Sequence, residues 1–205
     1  EALAIPGKIE VEDFDVNGVG QGNTTYNESD TENHGDSDYR PGTGVDLYKK
    51  ASGIIVGYNQ AGEWLEYTVK VAKTGTYTMN ASVASANSTS SFKLSMDGKD
   101  ITEEIAVPAA TSGEENYDEY NTVEAEVSLT EGEHILRFTV TGDWMDIDWI
   151  KFSEPGSTEP GTDAIRQVMP AVRGDASAPR LVKKGNTLFV EKNGMRFDLT
   201  GHRLR

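Results

Sequence analysis

The stretch GEWLEYTVKV, residues 62–71, alternates apolar and polar side chains with a period of two. That period is typical of a β-strand that buries one face and turns the other toward water. The buried phase of the predicted strand comprises Leu65, Tyr67, Val69 and Val71. This stretch therefore favours a sheet with a core on one side.

Trp64 falls in the opposite phase of the same stretch, on the face that should meet water. Trp144 is also expected to meet water, because it stands in the polar segment GDWMD, residues 142–146. An exposed indole on a rigid strand offers a large apolar surface to a flat ligand. Cover by a neighbouring loop is an equally good interpretation of each ring, since single surface hydrophobics are common.

Short segments of the same alternation recur through residues 75–152, with turn signals between them. Asp97-Gly98 is a strong two-residue hairpin signal. The apolar phases are Tyr77, Met79, Ala81 and Val83; Phe92, Leu94 and Met96; Val123, Ala125, Val127 and Leu129; and Leu136, Phe138 and Val140, with a last strand over 147–152. Since no segment keeps a helical period over three turns, the sequence predicts an all-β sandwich or jelly roll.

Residues 153–163, SEPGSTEPGTD, contain no apolar side chain other than two prolines and are typical of an extended linker. We therefore place a first domain at 1–152 and a separate small unit at 164–205. In that unit, two apolar runs flank Asn193-Gly194 and predict a β-hairpin, which would be marginally stable alone.

Charge differs sharply between the two units. The whole chain carries a net charge of −15, of which residues 1–152 contribute −18 and residues 164–205 contribute +6. The acidic domain should repel nucleic acid, anionic membranes and polyuronates. The absence of cysteine excludes disulfides, thiolate metal sites and cysteine nucleophiles. No apolar run approaches the ~20 residues that span a bilayer.

No catalytic constellation is recognisable. The chain has 34 Asp and Glu residues, so carboxylate pairs at glycosidase-like spacing are inevitable and carry no information. The three histidines, His34, His134 and His202, lie far apart, and no nucleophile elbow or phosphate-binding loop occurs. The sequence therefore indicates a protein that is not an enzyme.

An acidic pair opens the chain. If residues 8–14 form a strand, Glu10 and Glu12 point to one side and Ile9 and Val11 to the other. Two carboxylates about 7 Å apart suit a hard cation such as Ca²⁺, or else form a solvated edge. Residues 15–47 show little alternation, and a loop of this length is usually functional or pinned by something such as a metal ion.

Aromatic side chains recur in polar loops of the first domain, at Tyr58, Tyr117, Tyr120 and Trp144. Aromatic faces pack against the C–H faces of sugar rings, while neighbouring amides and carboxylates hydrogen-bond the hydroxyl groups. Each tyrosine alone is more often structural. Three such loops in one β-sandwich favour a carbohydrate site.

At these residues the chain resembles a family 6 carbohydrate-binding module over about residues 5–152. The motifs that carry the resemblance are IPGKIEVEDF (5–14), YR (39–40), GVDL (44–47), VGY (56–58), AGEWLEY (61–67) and DIDWI (146–150). The resemblance implies a β-jelly roll without catalysis of its own, appended to a secreted glycoside hydrolase or esterase. It therefore implies a secreted or cell-surface protein whose export signal was cleaved or lies upstream.

The resemblance also implies binding residues. A loop cleft at one end of the sandwich would hold the sugar between Tyr58 and Tyr117, with Asp146 as hydrogen-bond partner. A second site on a sheet face would use Trp64. A structural Ca²⁺ would be held by three carboxylates, Glu10, Glu12 and Asp148.

Two departures from the family pattern affect the cleft. Tyr117 occupies the position of a tryptophan in the family pattern and follows an insertion over 111–116. Trp144 is a second candidate for the aromatic ring that stacks on the sugar at this position. Asp146 replaces an asparagine, and an ionised carboxylate accepts hydrogen bonds but cannot donate them.

The tail resembles basic C-terminal modules of secreted plant-cell-wall-degrading proteins through FDLTGHRL, residues 197–204. This similarity implies a role in secretion or surface attachment, so deleting residues 164–205 should impair export or surface retention.

Together these features predict a non-catalytic module that targets an appended enzyme to a plant-cell-wall β-glycan, xylan or β-glucan. The alternative is a Ca²⁺-dependent adhesion or assembly domain that contacts protein through its exposed aromatics. A small glycan-acting enzyme is a third hypothesis. Neither nucleic acid nor membrane insertion is expected.

Overall fold

The computed structural model describes residues 1–16, 25–112 and 116–154, and the backbone of four strands between residues 180 and 204. The chain divides into two compact units, Glu1–Ser157 and Thr158–Arg205. In the first unit, the described residues form strands and loops with a single 3-10 turn, Val11–Asp13. No helix in the described part of the chain is long and apolar enough to cross a membrane.

Two sheets make up the first unit. The first sheet has the strand order β1-β6-β12-β8-β10, with β3 on β6 and β9 on β8. Its strands are β1 (Leu3–Ile5), β3 (Tyr26–Asn27), β6 (Trp64–Val71), β8 (Ser91–Met96), β9 (Lys99–Asp100), β10 (Ile105–Ala106) and β12 (Gly132–Gly142).

The second sheet has the order β11-β7-β13-β5-β4, with β2 paired to β13. Its strands are β2 (Gly7–Glu10), β4 (Leu47–Lys50), β5 (Gly53–Val56), β7 (Gly75–Ala84), β11 (Asn121–Leu129) and β13 (Asp146–Ser153). The inner faces of the two sheets form one core, as expected of a jelly-roll sandwich. The predicted fold class is thereby confirmed.

Strand β6 confirms the alternation from which the fold was predicted. Leu65, Tyr67, Val69 and Val71 are all at most 4% exposed, whereas Lys70 is exposed. Each inward residue of a strand meets the inner face of the opposite sheet, so burial of apolar area, at about 25 cal/mol per Å², stabilises the sandwich. The predicted apolar phases of β7, β8 and β12 are likewise buried.

The Asp97-Gly98 hairpin joins β8 to β9 as predicted. Both residues have positive φ, 51° and 77°, which is the conformation of a type I′ turn. Gly98 adopts this conformation without a Cβ penalty, and aspartate tolerates it better than most residues.

The opening segment departs from the prediction at Glu12. Strand β2 ends at Glu10, and Glu12 lies in the 3-10 turn that follows. Ile9 and Val11 are both fully buried, as the alternation predicted, but Phe14, which has the same phase as Glu10 and Glu12, is fully buried as well. Strict strand alternation across residues 8–14 was therefore wrong.

The second unit contains a four-stranded sheet in the order β14-β15-β16-β17. The strands are β14 (Arg180–Lys184), β15 (Thr187–Lys192), β16 (Met195–Phe197) and β17 (Arg203–Leu204). β15 and β16 pair antiparallel, with Val190 opposite Phe197. The predicted turn at 193–194, and most of the predicted linker, lie outside the described residues.

Candidate functional site

A cavity of about 350 Å³ opens in the first unit, a volume suited to a small ligand. Among the described residues, six line it: Tyr48, Lys50, Tyr58, Tyr117, Trp144 and Asp146. Four of them are ligand residues that the sequence had suggested, drawn from the segment after β5, the segment before β11, the loop before β13 and the start of β13 itself. The fold therefore brings together side chains that lie up to 88 positions apart in the chain.

Two aromatic side chains of the cavity stand on strained backbone. Tyr58 and Trp144 have φ values of 57° and 64°, in the left-handed region that non-glycine residues rarely adopt. Such residues cost about 1–3 kcal/mol each and cluster at ligand sites, where the surrounding structure holds them in place. Their rings meet edge to face, with centroids 4.8 Å apart, and Tyr58 keeps 46% of its surface exposed.

Asn59 holds the two strained segments together. Its buried side-chain amide donates to the carbonyls of Val56, at 3.2 Å, and Met145, at 2.8 Å. The backbone carbonyl of Asn59 accepts a hydrogen bond from the Trp144 N–H at 2.7 Å. These bonds join the segment after β5 to the loop before β13 and offset the strain at Tyr58 and Trp144.

Two serines secure the far side of the Trp144 loop. The hydroxyls of Ser85 and Ser90 lie 2.8 and 3.0 Å from the Trp144 carbonyl and 2.7 Å from each other. Buried hydroxyls in a satisfied network rigidify the backbone that they hold. The aromatic platform is therefore positioned before any ligand arrives.

Asp146 forms the polar wall of the cavity. Burial raises the pKa of its carboxyl to about 7, although Lys50 and the Tyr58 backbone N–H both act to lower it. Near neutral pH the group therefore exists in both forms, and the protonated form can donate a hydrogen bond. A Cβ on Gly57 would lie 2.6 Å from Asp146 Oδ1, so glycine is required for this close approach.

Tyr117 lies in the cavity, and the Asn87 side-chain amide donates to its hydroxyl at 3.2 Å. Tyr117 and Trp144, the two candidates for the second platform, therefore line the same cavity.

Sequence reasoning missed Tyr48 and Lys50. Both lie on β4, which pairs with β5 so that Leu47 faces Val56, next to the Tyr58 segment. Lys50 Nζ is 2.6 Å from Asp118 Oδ1 and joins β4 to the segment before β11. Recognition of the β4–β5 hairpin from the Ala51-Ser52 turn would have paired β4 with the strand that leads to Tyr58.

Trp64 lies outside the cavity lining. Its indole is half-buried, because the Arg137 guanidinium of β12 lies 3.9 Å from the ring centroid. Arg137 also makes a 2.6 Å ion pair with Glu66, two residues along the same face of β6. A strand neighbour, rather than a loop, therefore covers part of this ring.

The segment around β3 is fastened to the segment before β6 through two carboxyl groups. The Ser29 N–H donates to Glu28 Oε1 at 3.0 Å and to Glu63 Oε1 at 3.2 Å, so the two groups lie side by side. Glu63 is buried and also accepts from the Gln60 N–H at 2.7 Å. Burial and the hydrogen bond to Glu63 strongly raise the pKa of Glu28.

The predicted calcium ligands have suitable chemistry. Glu12 Oε2 is buried without a hydrogen-bond partner, and burial, together with the charges of Glu10, Asp13 and Asp148, raises the pKa of Glu12 to about 7. Lys8 Nζ lies 2.5 Å from Glu10. Within the described residues, no three His, Cys, Asp or Glu side chains converge closely enough to form a metal site as they stand.

Comparison with known families identifies the fold and the class of site together. Residues 36–154, more than half of the chain, match the family described as carbohydrate binding module (family 6). The chain belongs to this family. Family 6 modules are non-catalytic and bind carbohydrate. No curated protein matches the chain.

Solved structures of family 6 modules share the fold of this module at 16–21% identity. A module from Cellvibrio mixtus lichenase 5A, in complex with cellotriose, has 20% identity and a TM-score of 0.53, covering 73% of this chain and 98% of that one. A Clostridium cellulolyticum module with xylose has 21% identity and a TM-score of 0.52, covering 74% and 99%. A β-1,3-glucan-binding module from Bacillus halodurans has 16% identity and a TM-score of 0.53, covering 74% and 98%.

Proposed function

We propose that this module carries an appended glycoside hydrolase or esterase to a plant-cell-wall β-glycan, either xylan or a β-glucan, outside the cell. The observation that carries the proposal is the cavity in which four aromatic side chains and one buried carboxyl converge. The cellotriose, xylose and β-1,3-glucan named for the similar structures support this ligand class.

Four of the lining groups have a defined task in this proposal. The exposed Tyr58 ring stacks on a sugar face, and Tyr117 or Trp144 supplies the opposing wall. Asp146 accepts or donates one hydrogen bond according to its protonation. Because the platform is held rigid before binding, little conformational entropy is lost when the sugar enters.

Affinity electrophoresis tests the proposal directly. The intact chain is run in gels containing xylan, mixed-linkage glucan, laminarin, mannan or agarose, with Ca²⁺ present. We expect xylan or one of the β-glucans to retard the chain. Free migration in every gel would contradict the proposal and favour the adhesion or assembly domain as the function.

A bound Ca²⁺ is the second part of the proposal, with Glu10, Glu12 and Asp148 as its ligands. The ion would neutralise the buried Glu12 carboxylate and tie β2 to β13, which pair through Glu10 and Trp149. To reach the ion, Glu10 would have to exchange its ion pair with Lys8 for the metal.

Removal of the metal should lower the stability of the first unit. A ligand at 100 times its Kd adds about 2.7 kcal/mol, so we expect EDTA to lower Tm by about 5–10 °C. Added Ca²⁺ should restore the original value, and the Glu12→Gln variant should respond much less. A wild-type Tm that is the same in EDTA and in Ca²⁺ would contradict the proposed metal.

A further inference from the structure

The Tyr58 ring has aromatic neighbours on two sides. Trp144 is one of them, and the other is His34, whose ring centroid lies 5.3 Å from that of Tyr58 at an interplanar angle of 46°. His34 comes from the long irregular segment before β4 and is not among the residues that line the cavity. It therefore supports the platform from outside the cavity.

Hydrogen bonds hold the imidazole of His34 against Tyr58. Its Nε2 lies 3.1 Å from Asp30 Oδ2, four residues earlier, and its backbone N–H donates to the buried Asp46 carboxylate. The Asp46 carbonyl accepts from the N–H of Gly57, the residue before Tyr58, at 2.9 Å. Asp46 thus links the histidine segment to the tyrosine segment through two separate bonds.

The groups that face His34 are nearly all acidic or aromatic. Asp30 and Glu32 lie on its own segment, Asp46 precedes β4, and Tyr58 follows β5. The hydrogen bond to Asp30 is the main cause that raises the pKa of His34; burial opposes it, and the charges of Asp46, Asp30 and Glu32 each add a smaller increase. A cation above an aromatic face is attracted by the ring quadrupole.

We infer that His34 is a positioning residue of the glycan site, whose imidazolium form packs on Tyr58 and makes binding dependent on proton concentration. The inference rests on the proposed glycan-binding function. When the imidazole loses its proton, its attraction to Asp30 and to the tyrosine ring weakens, and the platform gains freedom that the ligand must remove. Because the histidine pKa is raised, affinity is highest below about pH 6.5 and falls as pH rises through the folded-state pKa.

Glycan binding at two pH values tests the inference. Affinities for xylan and laminarin are measured at pH 6 and pH 8.5 for wild type, His34→Gln and His34→Phe. We expect wild type to lose about two- to fivefold in affinity over this range. His34→Gln should be weaker at pH 6, and His34→Phe, which retains a ring, should remain closer to wild type. In both variants the pH dependence should shrink to the part that Asp46 and Asp146 contribute.

His134 provides the matched control. Its Nδ1 lies 2.6 Å from Asp97 Oδ2, so it is also a histidine paired with an aspartate, and its pKa is likewise raised, but it does not line the cavity. The His134→Gln variant should keep the wild-type affinities and pH profile. A wild-type pH profile in His34→Gln would overturn the inference.

Nuclear magnetic resonance of the ligand-free protein separates this inference from the proposed function. The Tyr58 ring resonances should shift with the pKa of His34 in wild type and lose that shift in His34→Gln. Tyr58 resonances that do not change as His34 titrates would overturn the inference, even if the protein binds xylan or laminarin in the affinity experiments. Coupled resonances in a chain that no polymer retards would instead support the ring packing and contradict the proposed function.

Discussion

Replacing Tyr58 with alanine is expected to abolish retention by the polysaccharide that retards the wild-type chain. Tyr58 presents the most exposed aromatic ring of the cavity, at 46% of its surface, on a backbone held by the Asn59 bonds. Truncation of a central aromatic anchor costs about 2 kcal/mol or more, which is about thirtyfold in Kd. Titration calorimetry of wild type and variant measures this loss.

Trp64→Ala is the matched comparison, because it also removes a large aromatic side chain from the first unit. Trp64 does not line the cavity and lies under Arg137. We expect Trp64→Ala to leave binding in the cavity unchanged and to affect only a separate, weaker site. An unchanged affinity in Tyr58→Ala, or a large loss in Trp64→Ala alone, would move the binding site to the Trp64 face.

The Glu28→Gln substitution is expected to stabilise the first unit at alkaline pH. The raised pKa means that the folded state holds a proton on Glu28 that the unfolded chain releases above about pH 4.5. The contribution of Glu28 to the free energy of unfolding is therefore fully present below that pH and is lost as pH rises. At most, the loss is about 1.4 kcal/mol for each pH unit. The variant removes this loss, because its amide stays neutral and can donate to Glu63.

Urea unfolding between pH 5 and pH 9 measures the effect. All three tryptophans, Trp64, Trp144 and Trp149, lie in the first unit, so their fluorescence reports its unfolding alone. The wild-type free energy of unfolding should decline more steeply with pH than that of Glu28→Gln. A slope remains in the variant, because Asp46 and Asp146 also have raised pKa values.

Glu133→Gln is the control for this experiment. Glu133 is exposed on β12, so its substitution makes the same Glu-to-Gln change without touching the Glu28–Glu63 pair. This variant should follow the wild-type pH profile. Equal slopes for Glu28→Gln and wild type would show that Glu28 does not hold its proton more tightly in the folded protein than in the unfolded chain.

The sequence alone determined the longer strands β6, β7, β8 and β12 and their inward faces. Period-two alternation requires only that successive side chains point to opposite sides, which is a local property of an extended backbone. The buried phase of β6, from Leu65 to Val71, and the Asp97-Gly98 turn were predictable for this reason. The opening strand was misjudged at Glu12, because a 3-10 turn there breaks the alternation.

The sequence also predicted four of the six cavity residues, because exposed aromatics in polar loops and the family motifs both marked them. It missed Tyr48, Lys50 and the support from His34, whose roles depend on residues far away in the chain. A turn signals the β4–β5 hairpin, but no local pattern marks these three side chains as neighbours of the cavity, which β4 reaches through its pairing with β5.

Only the tertiary structure decided how the site is shaped. The left-handed backbone at Tyr58 and Trp144 is unfavourable locally and persists because Asn59, Ser85 and Ser90 bond across the loops. Sequence periodicity decides which face a side chain takes within one element. The meeting of loops from separate elements depends on long-range hydrogen bonds and burial, which exist only once the sandwich has formed.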